Sequence, residues 1–201
     1  MHKRHFLAGT ALAGTALATA GMARAQGTAR PAAAGQPTLL TVGGAIAKGN
    51  RGPLDKALDQ MLAKHKVQFA TAFAFDSAAL QRLPRVSITP TLEYDGKKHK
   101  LTGPLLATVL AEAGADLKAP LRLGLRAVDG YNAIVSLADV QAYRMVVATH
   151  LDDQPMALGG LGPQWAVYDA DNLPAFKDKP LQERFALCPW GVYYIDVAVQ
   201  G

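Results

Sequence analysis

Aromatic and acidic side chains occur together at the predicted ends of strands and at the mouths of predicted hairpins. In the segment TLEYDG, a β-rich run ends in Glu93, Tyr94 and Asp95, and the Asp-Gly pair predicts a turn. Aromatic faces stack on flat polar heterocycles, and a carboxylate accepts the paired N–H donors of an amino-pyrimidinone edge. A pterin has such an edge, as does guanine. The pattern therefore predicts a slot for a flat heterocycle.

Nine residues are the candidates for this slot. The stacking candidates are Tyr94, Tyr131, Trp165, Tyr168 and Trp190; the candidates for the heterocycle edge are Asp95, Asp129 and Asp169; Arg126 would donate to a ring oxygen, with Gln164 as a second donor. The alternative interpretation is that the aromatic residues pack in the core and at its rim. The sequence leaves both interpretations open for each ring.

Other site chemistries find little support. His65, His99 and His150 have no spacing that suits a structural zinc ion. The Gly-rich run at 159–163 lacks the Lys-Ser/Thr of a phosphate-binding loop. His150 could activate Cys188 as a nucleophile, but the thiol stands in an apolar segment, which favours a buried and inert side chain. Cys188 also lies in a different segment from Tyr94, so we do not expect it to supply a metal ligand there.

The N-terminus has the pattern of a secretory signal peptide. Lys3 and Arg4 precede a short apolar run at 6–20, and small residues flank a cleavage site after Ala25. The run is too short and too poor in Leu and Ile to favour a membrane anchor. We therefore expect a periplasmic protein, exported by the general or the twin-arginine route. A lone cysteine in that compartment allows no internal disulfide.

The composition is that of a globular protein without a nucleic-acid footprint. Half of the 201 residues are hydrophobic and 18% are charged. The first 25 residues hold three of the 21 basic residues and none of the 16 acidic ones, which leaves a net charge of +2. No basic stripe is interleaved with aromatic residues, so nucleic acid is not an expected partner.

Periodicity and turn residues predict a mixed α+β domain with a largely antiparallel sheet and a few short helices. Residues 26–37 read as a flexible linker and residues 38–201 as one domain. The predicted strands cover 38–47, 67–75, 86–94, 144–151 and the closing segment 186–199, with a hairpin around Asp129-Gly130 and a Gly-rich loop that leads into a strand at Trp165. The predicted helices begin at Pro53, after the cap Asp76, within 103–115 and at Leu137.

Several ordered segments resemble the sulfite-oxidase-like molybdopterin-binding family. They are FDSAALQRLPRVSITPTLEYDG, LTGPLLATVLAEAGA, LRAVDGYNAIVSLADV, VVATHLDDQPMALGGLGPQWAVYD and WGVYYIDV. Together they span roughly residues 67–197. The resemblance implies that family's α+β fold and a molybdopterin-dependent oxidoreductase as one possible activity.

Two departures from the family pattern redirect the functional expectation. Tyr94 stands where catalytic members present the cysteine that ligates molybdenum, and a phenol is not a soft thiolate ligand. Trp165 stands where the family has an arginine suited to a phosphate. The chain is similar to a small periplasmic branch that binds reduced pterins without metal. That resemblance implies a non-catalytic pterin-binding protein whose partner is the periplasmic domain of a membrane-bound cyclic-di-GMP enzyme.

Overall fold

Three β-sheets and four short α-helices make up the part of the chain described by the computed structural model, residues 36–200. The strands are β1 (Thr38–Gly44), β2 (Ala72–Asp76), β3 (Arg85–Ile88), β4 (Leu101–Pro104), β5 (Leu121–Ala127), β6 (Asn132–Ser136), β7 (Val146–Ala148), β8 (His150–Leu151), β9 (Gln154–Pro155), β10 (Trp165–Val167) and β11 (Val192–Val199). The helices are α1 (Gln60–Lys64), α2 (Ser77–Arg82), α3 (Leu106–Glu112) and α4 (Leu137–Ala142), with 3₁₀ turns at Ala170–Asn172 and Leu181–Glu183. The predicted signal peptide, and all but two residues of the predicted linker, lie outside the described residues.

The largest sheet has five strands in the order β2-β1-β11-β5-β6. Its strands pair antiparallel except for the parallel pair of β1 with β11. A second sheet, β3-β4-β8-β9, is antiparallel throughout, and β10 pairs antiparallel with β7. The structure therefore has the mixed α+β class, mostly antiparallel, that the sequence predicts. No helix within residues 36–200 has the length and apolar character needed to cross a membrane.

The main core lies against the inner face of the five-stranded sheet. Alternate residues of β5 point into it, and the side chains of Leu121, Leu123 and Leu125 are all at most 2% exposed. A second, smaller cluster forms around Tyr193 and Tyr194 on the outer face. A register shift between Val192 and Tyr194 accounts for two successive tyrosines joining the same cluster, because a bulge interrupts the strict alternation of side chains.

Local capping and turn chemistry follow the sequence closely in several places. Asp76 caps α2 by accepting a hydrogen bond from the Ala79 backbone N–H at 2.6 Å. The Asp152-Asp153 turn has positive φ angles of 47° and 65°, as a tight hairpin turn requires. The first of these features confirms the cap predicted at Asp76.

Several predicted elements are shorter than expected. The strand predicted over 67–75 begins only at Ala72, and the strand predicted over 186–199 begins only at Val192. The helix predicted from Pro53 begins only at Gln60, because the Asp55 carboxylate accepts hydrogen bonds from the N–H groups of Ala57 and Leu58 and holds a turn instead. The strand predicted over 86–94 ends at Ile88. Further along this segment, the backbone N–H of Thr91 donates to the Asp171 carboxylate rather than to a strand partner.

Candidate functional site

A cavity of about 230 Å³ opens where three loops meet. The first loop follows β3, the second is the turn between β5 and β6, and the third leads into β11. Its lining residues are Glu93, Tyr94, Ala127, Asp129, Tyr131, Phe185, Ala186, Cys188, Pro189 and Trp190. We refer to it as the Tyr94 cavity.

The β5–β6 turn is built by its own side chains. The Asp129 carboxylate accepts a hydrogen bond from the Tyr131 backbone N–H at 2.8 Å, and Gly130 adopts a φ of +93° that favours glycine. The Tyr131 hydroxyl then donates to the Ala186 carbonyl at 2.6 Å. This bond ties the hairpin turn to the third loop, which fixes one side of the cavity.

The opposite side of the cavity rests on Trp165 in the core. Its indole N–H donates to the Cys188 carbonyl at 2.8 Å, and its backbone forms an antiparallel bridge with Trp190. These contacts hold Cys188, Pro189 and Trp190 along the edge of the cavity. Trp190 keeps part of its ring accessible, and the rings of Tyr94 and Tyr131 are 55% and 50% exposed. Three aromatic rings are thus available to a ligand.

The phenol and the thiol of the cavity both keep their protons at neutral pH. Burial, followed by the negative charge of Glu93, raises the pKa of Tyr94 to about 12. Burial likewise raises the pKa of the Cys188 thiol to about 12. Tyr94 is therefore a hydrogen-bond donor and acceptor, and Cys188 is neither an ionised nucleophile nor a ready metal ligand.

The cavity combines hydrogen-bonding groups with stacking surfaces. Glu93 and Asp129 supply carboxylates that accept N–H donors, while Tyr94 supplies a hydroxyl. The volume lies below the roughly 300–1,000 Å³ typical of sites for drug-sized ligands. Such a site suits a small flat heterocycle with a donor-rich edge.

Four of the nine predicted site residues line this cavity: Tyr94, Asp129, Tyr131 and Trp190. The remaining five lie elsewhere. Two of them are buried in the core, and three are at least partly exposed at other positions.

Trp165, Tyr168 and the second donor candidate Gln164 are core residues. All three side chains are 0% exposed, so Trp165 and Tyr168 offer no face to a ligand in this structure. The Tyr168 hydroxyl donates to the Arg184 carbonyl at 2.8 Å. The Gln164 amide donates to the carbonyls of Leu39 and Val192 and links β1 to β11. Trp165 and Tyr168 therefore pack in the core, as the alternative interpretation held, and do not form the predicted stacking surface.

Asp95, Asp169 and Arg126 form the second group. Asp95 is exposed and accepts hydrogen bonds from the Lys97 backbone and from His99, so it shapes its own turn. Asp169 accepts from the Asn172 amide at 2.8 Å. Arg126 lines a hollow on the outer face of the five-stranded sheet. None of the three lines the Tyr94 cavity, so the structure does not bring them together with the four predicted residues that do.

Six lining residues were not among the predicted site residues, and two of them, Glu93 and Cys188, carry ionisable groups. Glu93 directly precedes Tyr94, so its position beside an expected site residue was the available signal. Cys188 belongs to a different segment of the sequence from Tyr94, yet both line the same cavity. Its burial, at 4% exposed, agrees with the predicted inert thiol.

Comparison with solved structures shows a distant likeness in fold. The chain is similar to the sulfane dehydrogenase SoxCD from Paracoccus pantotrophus, with a TM-score of 0.53 and 14% identity over 80% of this chain. The match covers 38% of that chain, so this protein spans well under half of its length. No family model matches the sequence, and neither does any curated protein. The likeness supports a distant relationship to the sulfite-oxidase-like fold.

The cavity residues do not fit the metal of a molybdopterin cofactor. A thiolate is the ligand that the family resemblance implies, and Tyr94 holds a protonated phenol at that position. The Cys188 thiol lies nearby, but it is buried and protonated. Within residues 36–200, no three His, Cys, Asp or Glu side chains are grouped so that they could hold a metal ion by themselves. The Tyr94 position thus offers no thiolate, and the one thiol of the cavity lining is buried.

Proposed function

We propose that this protein binds a reduced pterin in the Tyr94 cavity and performs no chemistry on it. The observation that carries the proposal is the cavity itself, in which three accessible aromatic rings stand beside the carboxylates of Glu93 and Asp129. The rings of Tyr94, Tyr131 and Trp190 would stack on the bicyclic ring. The carboxylates would accept the N–H donors of its amino-pyrimidinone edge.

The protonation states of two cavity side chains support a proposal of binding without catalysis. Neither Tyr94 nor Cys188 is ionised near neutral pH, since burial raises both pKa values to about 12. Neither group therefore acts as a base, a nucleophile or a soft metal ligand. What remains is recognition by shape, stacking and hydrogen bonding.

The proposed setting is the periplasm, with a signalling role. The predicted signal peptide supports export. The resemblance to metal-free pterin-binding proteins supports a partner that is the periplasmic domain of a membrane-bound cyclic-di-GMP enzyme. A pterin would control that contact only if the partner distinguishes the bound from the free protein. Pull-down of the enzyme's periplasmic domain with and without tetrahydropterin tests this part separately.

The binding proposal is tested by titrating the purified protein with tetrahydrobiopterin under anaerobic conditions in a calorimeter. Asp129→Asn keeps the oxygen that accepts from Tyr131 but removes the charge, and should weaken binding about ten- to a hundredfold. Asp116→Asn is the matched control, because Asp116 accepts from the Lys118 N–H at 3.0 Å in the same turn geometry away from the cavity. Its affinity should be unchanged.

Measurement of the metals and small molecules that co-purify with the protein from its native host distinguishes pterin binding alone from a molybdenum-dependent oxidoreductase. Recovery of a pterin without molybdenum supports binding alone. Molybdenum at one equivalent would overturn the proposal and favour the alternative, an oxidoreductase with an atypical ligand set. In the calorimetric titration, equal affinities of Asp129→Asn and Asp116→Asn would show that Asp129 is not part of the site.

A further inference from the structure

A second hollow, unrelated to the Tyr94 cavity, lies on the outer face of the five-stranded sheet. Its volume is about 380 Å³, larger than that of the Tyr94 cavity. The lining combines side chains of β5, β6 and β11 with the segment after α1. We refer to it as the Gly124 hollow, after the residue at its centre. The two sites share no lining residue.

Gly124 gives the hollow its depth. It lies at the middle of β5, where it pairs with Asp196 of β11 on one side and with Ile134 of the edge strand β6 on the other. A Cβ atom at this position would lie 3.2 Å from the Asn132 amide oxygen and 3.5 Å from the Asp196 Cβ. Any side chain there would therefore fill the space between these two polar residues.

Two arginines of β5 lie on either side of Gly124, which forms the floor of the hollow. Arg122 and Arg126 are each two residues from Gly124, so both point to the outer face, with Cα atoms about 13 Å apart. Lys66 adds a third cation at the rim. Among residues 36–200, none of the three forms an ion pair or donates a side-chain hydrogen bond, whereas Arg51 and Arg184 both pair with aspartates.

Asp196 introduces a different kind of contact into the hollow. Its Oδ1 accepts from the hydroxyl of the buried Tyr194 at 3.3 Å. Its Oδ2 accepts no hydrogen bond from residues 36–200 and remains available for a ligand hydroxyl or amine. The hollow thus offers three cations and one carboxylate, so that a dianion would neutralise its charge.

We propose that the Gly124 hollow binds a small organic dianion that also carries a hydroxyl or an amino group. Guanidinium groups match carboxylates and phosphates through paired N–H donors, so Arg122 and Arg126 would hold the acidic groups. Asp196 would accept from the hydroxyl or amine. The glycine floor lets the ligand approach the backbone of β5, and the Asn132 amide would contribute a donor at its side.

The experiment is calorimetry at low ionic strength with two probes of this chemistry, malate and glycerol 3-phosphate, which distinguish a dicarboxylate from a phosphate ester. Arg122→Gln and Arg126→Gln should each weaken binding about tenfold or more. Arg82→Gln is the matched control, because Arg82 is exposed at the end of α2, remote from the hollow, and should bind as the unmodified protein does. Succinate, which lacks the hydroxyl, should bind more weakly than malate, and Asp196→Ala, which removes both acceptor oxygens, should remove that difference.

Backbone amide chemical shifts of the unmodified protein locate the bound probe independently of any variant. We expect perturbations at Gly124, Asn132 and Asp196. Perturbations confined to the Tyr94 cavity, no binding of either probe, or an equal loss in Arg82→Gln would overturn the proposal. Tetrahydrobiopterin binding should be unaffected by Arg122→Gln, so failure here is distinguishable from failure of the proposed pterin site.

Discussion

The exposed ring of Tyr94 lies against the fully buried ring of Trp165, with centroids 6.4 Å apart and planes inclined by 50°. One residue faces the cavity and the other supports it from the core. Trp165 also contacts Phe185 at 5.9 Å and donates its indole N–H to the Cys188 carbonyl. Because Phe185 and Cys188 line the cavity as well, a single core side chain positions three parts of the site.

Replacement of Trp165 by alanine should destabilise the protein by about 3–5 kcal/mol, as large-to-small substitutions of buried aromatic residues do. A stacking role, as expected from the sequence, would have left the fold intact. Equilibrium unfolding in urea measures the difference. Tyr94→Ala is the control, because a ring that is 55% exposed should cost far less. Unchanged stability of Trp165→Ala would contradict its place in the core.

Tyr131 allows the ring and the hydroxyl to be tested separately. Tyr131→Phe removes only the hydrogen bond to the Ala186 carbonyl and should lower the free energy of unfolding by about 0.5–1.5 kcal/mol. Tyr131→Ala also removes a stacking surface and should weaken tetrahydrobiopterin binding more than Tyr131→Phe does. Urea unfolding and calorimetry give the two quantities. Equal affinities for the two variants would show that the ring makes no contact with the ligand.

Cys188 should be almost unreactive in the folded protein. With the pKa of the thiol raised to about 12 by burial, only about one molecule in ten thousand carries a thiolate at pH 8. Alkylation by iodoacetamide should therefore be at least about a hundredfold slower in the folded than in the urea-unfolded protein, where the thiol pKa returns to about 8.5. Mass spectrometry follows both rates. Similar rates would mean that the thiol is accessible and ionised.

Sequence patterns predicted the elements of the fold because the relevant forces are local. Asp76 as a cap and Asp129-Gly130 as a turn are set by side chains that bond to nearby backbone groups. The helix predicted from Pro53 failed for a related reason, since Asp55 bonds to the backbone of Ala57 and Leu58 and competes with helix formation. Apolar spacing alone gives no sign of that competition.

The site was harder to predict because burial of an aromatic ring depends on distant segments. Trp165 and Tyr168 carry the same chemical signature as Trp190, yet packing against β7 and the loop at 181–188 closes over the first two. Cys188 reaches Tyr94 through tertiary contacts that sequence separation hides. The position of Arg126, by contrast, could have been predicted from the sequence. Side chains alternate along β5, so Leu125 points into the core and Arg126 points to the outer face.

His99 joins two loops through their carboxylates, and this contact makes stability depend on pH. Its Nδ1 lies 2.7 Å from an Asp152 oxygen and its Nε2 lies 3.0 Å from an Asp95 oxygen. Hydrogen bonding to Asp152, and then to Asp95, raises the pKa of His99 above its usual value. The same bonds to His99 lower the pKa values of both aspartates.

The sign of the effect follows from these directions. The histidine contribution is fully present below its unfolded pKa of about 6.5 and is lost as the pH rises through the raised folded value. The aspartate contribution is present above about 3.9 and is lost as the pH falls through the lowered folded values. The difference in unfolding free energy between the unmodified protein and His99→Gln should therefore be largest between about pH 4 and pH 6.5.

Titration of the imidazole signals by NMR checks the microscopic origin of this prediction. His99 should titrate above about 6.5. His150 should titrate below it, because burial and then the positive charge of Arg85 lower the pKa of His150. The two histidines are thus internal controls for each other. A His99 midpoint at or below that of His150 would show that the contacts with Asp95 and Asp152 do not persist in solution, and the pH dependence of stability should then be the same in His99→Gln and in the unmodified protein.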